Sequence, residues 1–217
     1  MKSLLRSTVL LAVATGLAAC PVQAGAATHL PPAEHGRYAT LEHPQPVRAA
    51  EKTEAVEFFW YDCVHSHQLE EPLQAWAGRH RADVTLRRVP AVWPGSPGEQ
   101  RQLGHARLYY TLERLQLADR LQLAVYRAVR EAKADVTTED TATAWAVRQG
   151  VDAQAFRTAY RSAEVGRQAE GAAELFRRYE ITELPSVVVQ GRYRTSPTPA
   201  GGVKEMPAVL DRLVQQG

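Results

Sequence analysis

Cys63, His65, Ser66 and His67 crowd into one short run, "DCVHSH", which follows an apolar, aromatic stretch and precedes an amphipathic one. A cysteine where a strand gives way to a helix meets unpaired backbone N–H groups and about half a unit of positive charge, which suits a thiolate nucleophile. His65 adds to that charge when protonated, and Asp62, one residue ahead of the sulfur, opposes it. Thiol redox sites with this layout carry two cysteines as C-x-x-C. Here Ser66 takes the second place. A dithiol stores an oxidising equivalent as its own disulfide and passes it on, and a single thiol cannot. Cys63 can attack a disulfide in another molecule and wait for a further thiol to release it. That is isomerase-like or monothiol chemistry rather than dithiol oxidation. Ser66 can offer the sulfur a hydrogen bond but cannot resolve an adduct.

The same run also reads as C-x-H-x-H, with Cys63 and His67 at i and i+4 on one helix face. Cys63, His65 and His67 are therefore lesser candidates for a soft metal such as copper or zinc. The sequence places no carboxylate or fourth nitrogen beside them. No metal and no other cofactor is expected.

A thiol so placed needs a strand before it and a helix after it. "AVEFFWY" (55–61) lacks strict alternation and suits a strand buried on both faces. Leu69, Leu73, Trp76 and Ala77 recur at helical spacing up to about His80. "DVTLRRV" (83–89) reads as the next strand and is ended by the prolines and glycines of "PAVWPGSPG". Strand, helix, strand predicts a right-handed βαβ unit. "YATL" (38–41) is a candidate first strand. Beyond residue 97 the pattern is helical, with one apolar stripe through Leu121, Val125, Ala128 and Val129. Thr137 and Asp140 suggest a capping box, Gly150 a helix end and Asp152 the next N-cap, with a long helix over 163–179. "PSVVVQGRYRT" returns to strand around a Gln190-Gly191 hairpin turn, and the chain closes on a helix bearing Val203, Met206, Val209, Leu210, Leu213 and Val214.

The 217 residues, 45% apolar and 23% charged, are enough for one domain with a sizeable insertion. A formal net charge of +2, evenly spread, argues against nucleic acid as a partner. Lys2 and Arg6 precede "TVLLAVATGLAA", too short to span a bilayer but suited to the core of an export signal. "VQA" (22–24) offers cleavage after Ala24, the favoured reading, whereas "LAAC" (17–20) resembles a lipobox that would make a lipoprotein through Cys20. Either way Cys63 is left as the sole free thiol in an oxidising compartment.

The element order, the "EFF" of Glu57, Phe58 and Phe59 ahead of Cys63-Val64-His65-Ser66, and Leu184-Pro185 ahead of "SVVV" together resemble the DsbA family of bacterial thiol:disulfide interchange proteins. The likeness runs from about Gly36 to the C-terminus. It implies an α/β, thioredoxin-like fold with an inserted α-helical domain: a signal peptide over 1–24, a flexible leader over 25–37, the thioredoxin-like domain from 38–96 and 182–217, and the insertion from 97–181. It implies a periplasmic protein acting on exported unfolded or disulfide-bearing proteins, with a small-molecule thiol or a membrane redox partner. It also implies a cis bond at Pro185 whose loop, with Leu184 and Val64, binds substrate, and a proton-handling Glu57 beneath the site. Two positions depart from the family pattern: Val64 stands where proline is usual, and Ser66 replaces the second cysteine. A non-catalytic descendant that keeps the peptide groove for binding or chaperoning is the alternative.

Overall fold

The computed structural model describes residues 36–48 and 51–216. The expected signal over 1–24, Cys20 and nearly all of the leader lie outside the described residues.

A five-stranded sheet forms the frame, in the order β1-β5-β4-β2-β3, from β1 (Ala39–Thr40), β2 (Thr53–Phe59), β3 (Val84–Pro90), β4 (Ser186–Val189) and β5 (Tyr193–Thr195). β2 and β3 run parallel and are joined by helix α1 (Val64–Arg79), and β4 lies antiparallel to β2 on its other side. Five helices stand between β3 and β4: α2 (Glu99–Arg114), α3 (Ala118–Arg130), α4 (Glu139–Arg148), α5 (Ala153–Tyr160) and α6 (Ala163–Arg178). After β5 come α7 (Pro197–Ala200), a 3-10 turn over Val203–Glu205 and α8 (Met206–Val214). Val203, expected on the closing helix, belongs to the 3-10 turn ahead of it.

Alternation along the strands explains the layering. Val56, Phe58 and Val188 face the helices α2 to α6, with Phe58 wedged against Phe176 and Tyr179 at ring separations of 6.0 and 5.0 Å. Ala55, Val187 and Val189 face the other way, onto Leu69, Leu73 and Trp76 of α1 and Met206, Val209 and Leu210 of α8. Each such buried side chain contributes roughly 1.5–3 kcal/mol of transfer free energy. The central strands therefore read as apolar runs because both faces are covered.

Local signals behave as their chemistry dictates. Asp152 caps α5 by accepting from the Ala155 N–H at 2.8 Å. The capping box ahead of α4 belongs to Thr138 and Thr141, one residue along from the Thr137 and Asp140 expected, because Thr137 instead donates both its N–H and its hydroxyl to Asp135. Gln190 and Gly191 both take positive φ, 51° and 59°, in the turn between β4 and β5. Glycine is required at the second of these, since a Cβ there would collide with the Gln45 carbonyl oxygen.

Candidate functional site

The register of β2 against β4 sets the site. Phe58 pairs with Ser186 in antiparallel sense, so the chain leaving β2 runs beside the chain entering β4. Trp60, Tyr61 and Asp62 turn the chain, and Cys63 is the N-cap of α1 with an extended backbone, φ −88° and ψ 124°. Its N–H donates to the Trp60 carbonyl at 2.9 Å and its carbonyl accepts the His67 N–H at 3.1 Å. No side chain caps the first turn of the helix, which leaves its positive end turned toward the sulfur. The thiol is partly exposed and lies 3.8 Å from the Leu184 carbonyl oxygen, just before the cis Leu184-Pro185 bond.

Ser66 is fully buried one turn into α1, and its hydroxyl oxygen accepts the Trp60 N–H at 3.3 Å. The hydrogen bond that Ser66 could offer the sulfur is not formed, since the thiol faces the Leu184 carbonyl. Trp60 is held at its other end too, its indole N–H donating to His105 Nδ1 at 3.1 Å. Burial, followed by the charge of Arg101, pushes the His105 imidazole down to about 4, so it stays neutral and accepts that bond.

Asp62 does not face the sulfur as an uncompensated charge. Arg101 of α2 reaches its carboxylate at 3.0 Å and Arg130 of α3 at 3.4 Å, and Arg130 also donates to the Asp62 carbonyl. These two arginines tie the turn to the inserted helices. The histidines diverge. His65 is exposed, while His67 stacks on Tyr126 of α3 at 5.2 Å with the rings 5° apart, and burial lowers its pKa. Among the described residues no three His, Cys, Asp or Glu side chains gather as metal ligands, so the Cys63, His65 and His67 set is not assembled. Val64, 42% exposed, stands on the rim.

Beneath the turn lies a buried charged layer. Glu57 shares the sheet face of Ala55, and Arg88, its register partner on β3, donates to it at 3.0 Å. Arg88 also donates to Glu70 of α1 at 3.1 Å and to Asp119 at the start of α3 at 2.7 Å. Burial, reinforced by the neighbouring Glu70, pushes the Glu57 carboxyl up to about 8 although Arg88 pulls it down. Burial likewise raises Glu70. One oxygen of each of these two carboxylates, with the Tyr126 hydroxyl and the Gln122 side-chain nitrogen, has no hydrogen-bond partner among the described residues. Burial in the packed core thus favours the protonated form of Glu57.

Glu183, two residues before the cis proline, fixes the facing loop. Its carboxylate accepts from the Ser196 hydroxyl at 2.6 Å, the Thr198 hydroxyl at 2.8 Å and the Thr198 N–H at 3.2 Å, so it caps α7 from across the chain. Sequence reasoning missed Glu183, Glu70, Arg88 and His105, because each acts through a partner distant in the chain.

A model of the DSBA-like thioredoxin domain matches residues 68–214. The chain belongs to the DsbA-like thioredoxin family. It is 35% identical to the thiol:disulfide interchange protein DsbA of Burkholderia cepacia over 217 residues, all of this chain and 97% of that one. It is 34% identical to the protein of that name from Azotobacter vinelandii over 180 residues, 83% of this chain and 82% of that one. The crystal structure of Pseudomonas aeruginosa DsbA superposes with a TM-score of 0.76 at 30% identity, covering 83% of this chain and 92% of that one. The match to the DsbA-like domain begins five residues past Cys63.

Proposed function

We propose that this DsbA-like chain is an exported, periplasmic thiol:disulfide interchange protein working through the single nucleophile Cys63 on disulfide-bearing proteins. The observation that carries the reading is the pairing of a partly exposed thiol, at an uncapped helix end and 3.8 Å from Leu184, with a buried serine where a second sulfur would sit. The Cys63 thiolate attacks one sulfur of a substrate disulfide, forms a mixed disulfide and releases the other sulfur as a thiolate. That thiolate, another in the substrate, or a small-molecule thiol then attacks the mixed disulfide and frees Cys63. Electrons balance without an external oxidant, so the product is a rearranged disulfide and not a new one.

The part formed by 38–96 and 182–217 presents the thiol, and the helices of 97–181 brace its turn through Arg101 and Arg130. Val64, Leu184 and Pro185 form the rim that an extended peptide meets, using backbone groups ahead of β4. His65 supplies positive charge at the rim when protonated. Glu57, with its carboxyl near 8, takes up and returns protons as the thiol changes state.

The test compares the natural chain, Cys63→Ala and Ser66→Cys on two substrates. With a scrambled-disulfide protein and glutathione, the natural chain should restore native pairing and Cys63→Ala should fall to the uncatalysed rate. With a reduced protein and no added thiol, only Ser66→Cys, first oxidised to its own disulfide with oxidised glutathione and then freed of that oxidant, should form disulfides, at one equivalent per chain. Reshuffling that survives in Cys63→Ala refutes the nucleophile. Equal rates with and without the natural chain leave the peptide-binding, non-catalytic alternative.

A further inference from the structure

Arg87 and Arg88 are neighbours on β3 but point to opposite faces of the sheet. Arg88 goes to the charged layer under Cys63, whereas Arg87 goes to the side of the inserted helices, where it donates to Glu54 at 3.1 Å and to the Tyr179 hydroxyl at 3.1 Å. On that second side a cleft of about 270 Å3 opens between the sheet and helices α2 and α6. Arg48, Arg87, Tyr110, Glu113, Arg167 and Gln168 border it.

Its charges do not cancel. Among the described residues Arg48 and Arg167 have no ion-pair partner, while Arg87, paired with Glu54, keeps one nitrogen of its guanidinium free. The one carboxylate in the cleft, Glu113, is half-buried and accepts from the Tyr109 hydroxyl at 3.3 Å. Burial raises its pKa even though Arg87 and Arg48 pull the other way, so it offsets the arginines only in part. Tyr110 is 5% exposed, and its hydroxyl, on the cleft wall, has no hydrogen-bond partner among the described residues.

The three guanidiniums come from three separate segments: the chain before β2, β3 itself and α6. A carboxylate is planar and is satisfied by one guanidinium fork. Donors converging from several walls suit an anion whose oxygens point in several directions, and the space exceeds what a bare ion needs. We propose that this cleft binds a small molecule carrying a phosphate or pyrophosphate group, held by Arg48, Arg87 and Arg167 with the Tyr110 hydroxyl as a further donor. The site lies across the sheet from the layer beneath Cys63. Because its ligands come from both the sheet and the insertion, occupancy clamps the two together and stabilises the chain.

The experiment titrates the full chain, purified in a chloride buffer free of phosphate, with inorganic phosphate, pyrophosphate and succinate at fixed ionic strength, by calorimetry and by thermal unfolding. Saturable one-to-one binding of phosphate or pyrophosphate, with a raised unfolding midpoint, is expected, and succinate should bind about ten-fold more weakly or not at all. Arg48→Ala and Arg167→Ala, both exposed and outside the core, should each weaken binding about ten-fold while leaving the ligand-free midpoint unchanged. Tyr110→Phe should weaken it a few-fold. Succinate binding as well as pyrophosphate, binding unchanged in the Arg48→Ala, Arg167→Ala double variant, or no saturable binding at all would each overturn the proposal. A chain whose phosphate binding stays intact in Cys63→Ala supports a site independent of the thiol.

Discussion

At the turn, Ser66 sits in a buried helix position with a single bonded partner, the Trp60 N–H. In the layer beneath it, three carboxylates from β2, α1 and the start of α3 share the one guanidinium of Arg88. The two regions differ in how a substitution can act on them. Serine differs from cysteine by one atom and its hydroxyl takes part in one long hydrogen bond, so the exchange costs the fold little. The charged layer is less tolerant, because its buried carboxyls, Glu57 and Glu70, both depend on the one guanidinium of Arg88. The scaffold can thus stay whole whether the Ser66 position carries an oxygen or a sulfur.

The sharpest way to break this comparison is to attack the layer. Arg88→Met should take from Glu57 and Glu70 the guanidinium they share and, above about pH 8 where Glu57 ionises, destabilise the chain by roughly 3–5 kcal/mol. Ser66→Cys should move stability by no more than about 1 kcal/mol. Urea unfolding of both variants measures this, and similar losses in the two would erase the distinction.

The second effect is smaller and appears as a slope. Glu57, pushed up to about 8, keeps in the folded chain a proton that the unfolded chain gives up near 4.5. Between those values the folded state holds more protons, so this contribution to stability is complete below about 4.5 and is lost as pH rises through about 8. Unfolding free energy should decline by an amount on the order of a few kcal/mol between about pH 5 and pH 9. Glu57→Gln should flatten the decline, with the part owed to the raised Glu70 remaining. A variant with an unchanged slope would mean that Glu57 is ionised throughout.

The same contrast explains what could be read from the sequence. The strands, α1 and the hairpin were legible because β-branched runs, helical spacing and a glycine at a turn are local signals. The Cys63 turn was legible for the same reason, as a cysteine at a strand-to-helix junction. The layer beneath was hidden in "LRRV", where two arginines break an alternating strand. Their purpose emerges only when β2 and β3 are laid side by side: Glu57 meets Arg88 in register, and Glu54 serves Arg87 on the opposite face. Glutamates three apart on one strand and adjacent arginines on the next were the available signal. Glu70 and Asp119 had none, since their role depends on how α1 and α3 dock. The hydrogen bond that Ser66 could have offered the sulfur is not formed because the thiol faces the Leu184 carbonyl, which no spacing rule reveals.

The least effect is expected at Glu183, where the facing loop is held by groups that are mostly neutral and partly exposed. Glu183→Ala deletes three accepted hydrogen bonds, two from Thr198 and one from Ser196, and frees the N-terminus of α7. Water can replace much of what is lost, so global stability should fall by only about 1 kcal/mol. The loop at Leu184-Pro185 is more sensitive, because Glu183 is its tether to α7. KM for a disulfide-bearing peptide should rise a few-fold while kcat stays within about two-fold, since the sulfur and its helix are untouched. Glu183→Gln keeps an oxygen that can accept from Ser196 or Thr198 and should recover most of the affinity. A fall in kcat at constant KM would place Glu183 with the buried layer, as a group that tunes the thiol rather than one that holds the edge a peptide pairs with.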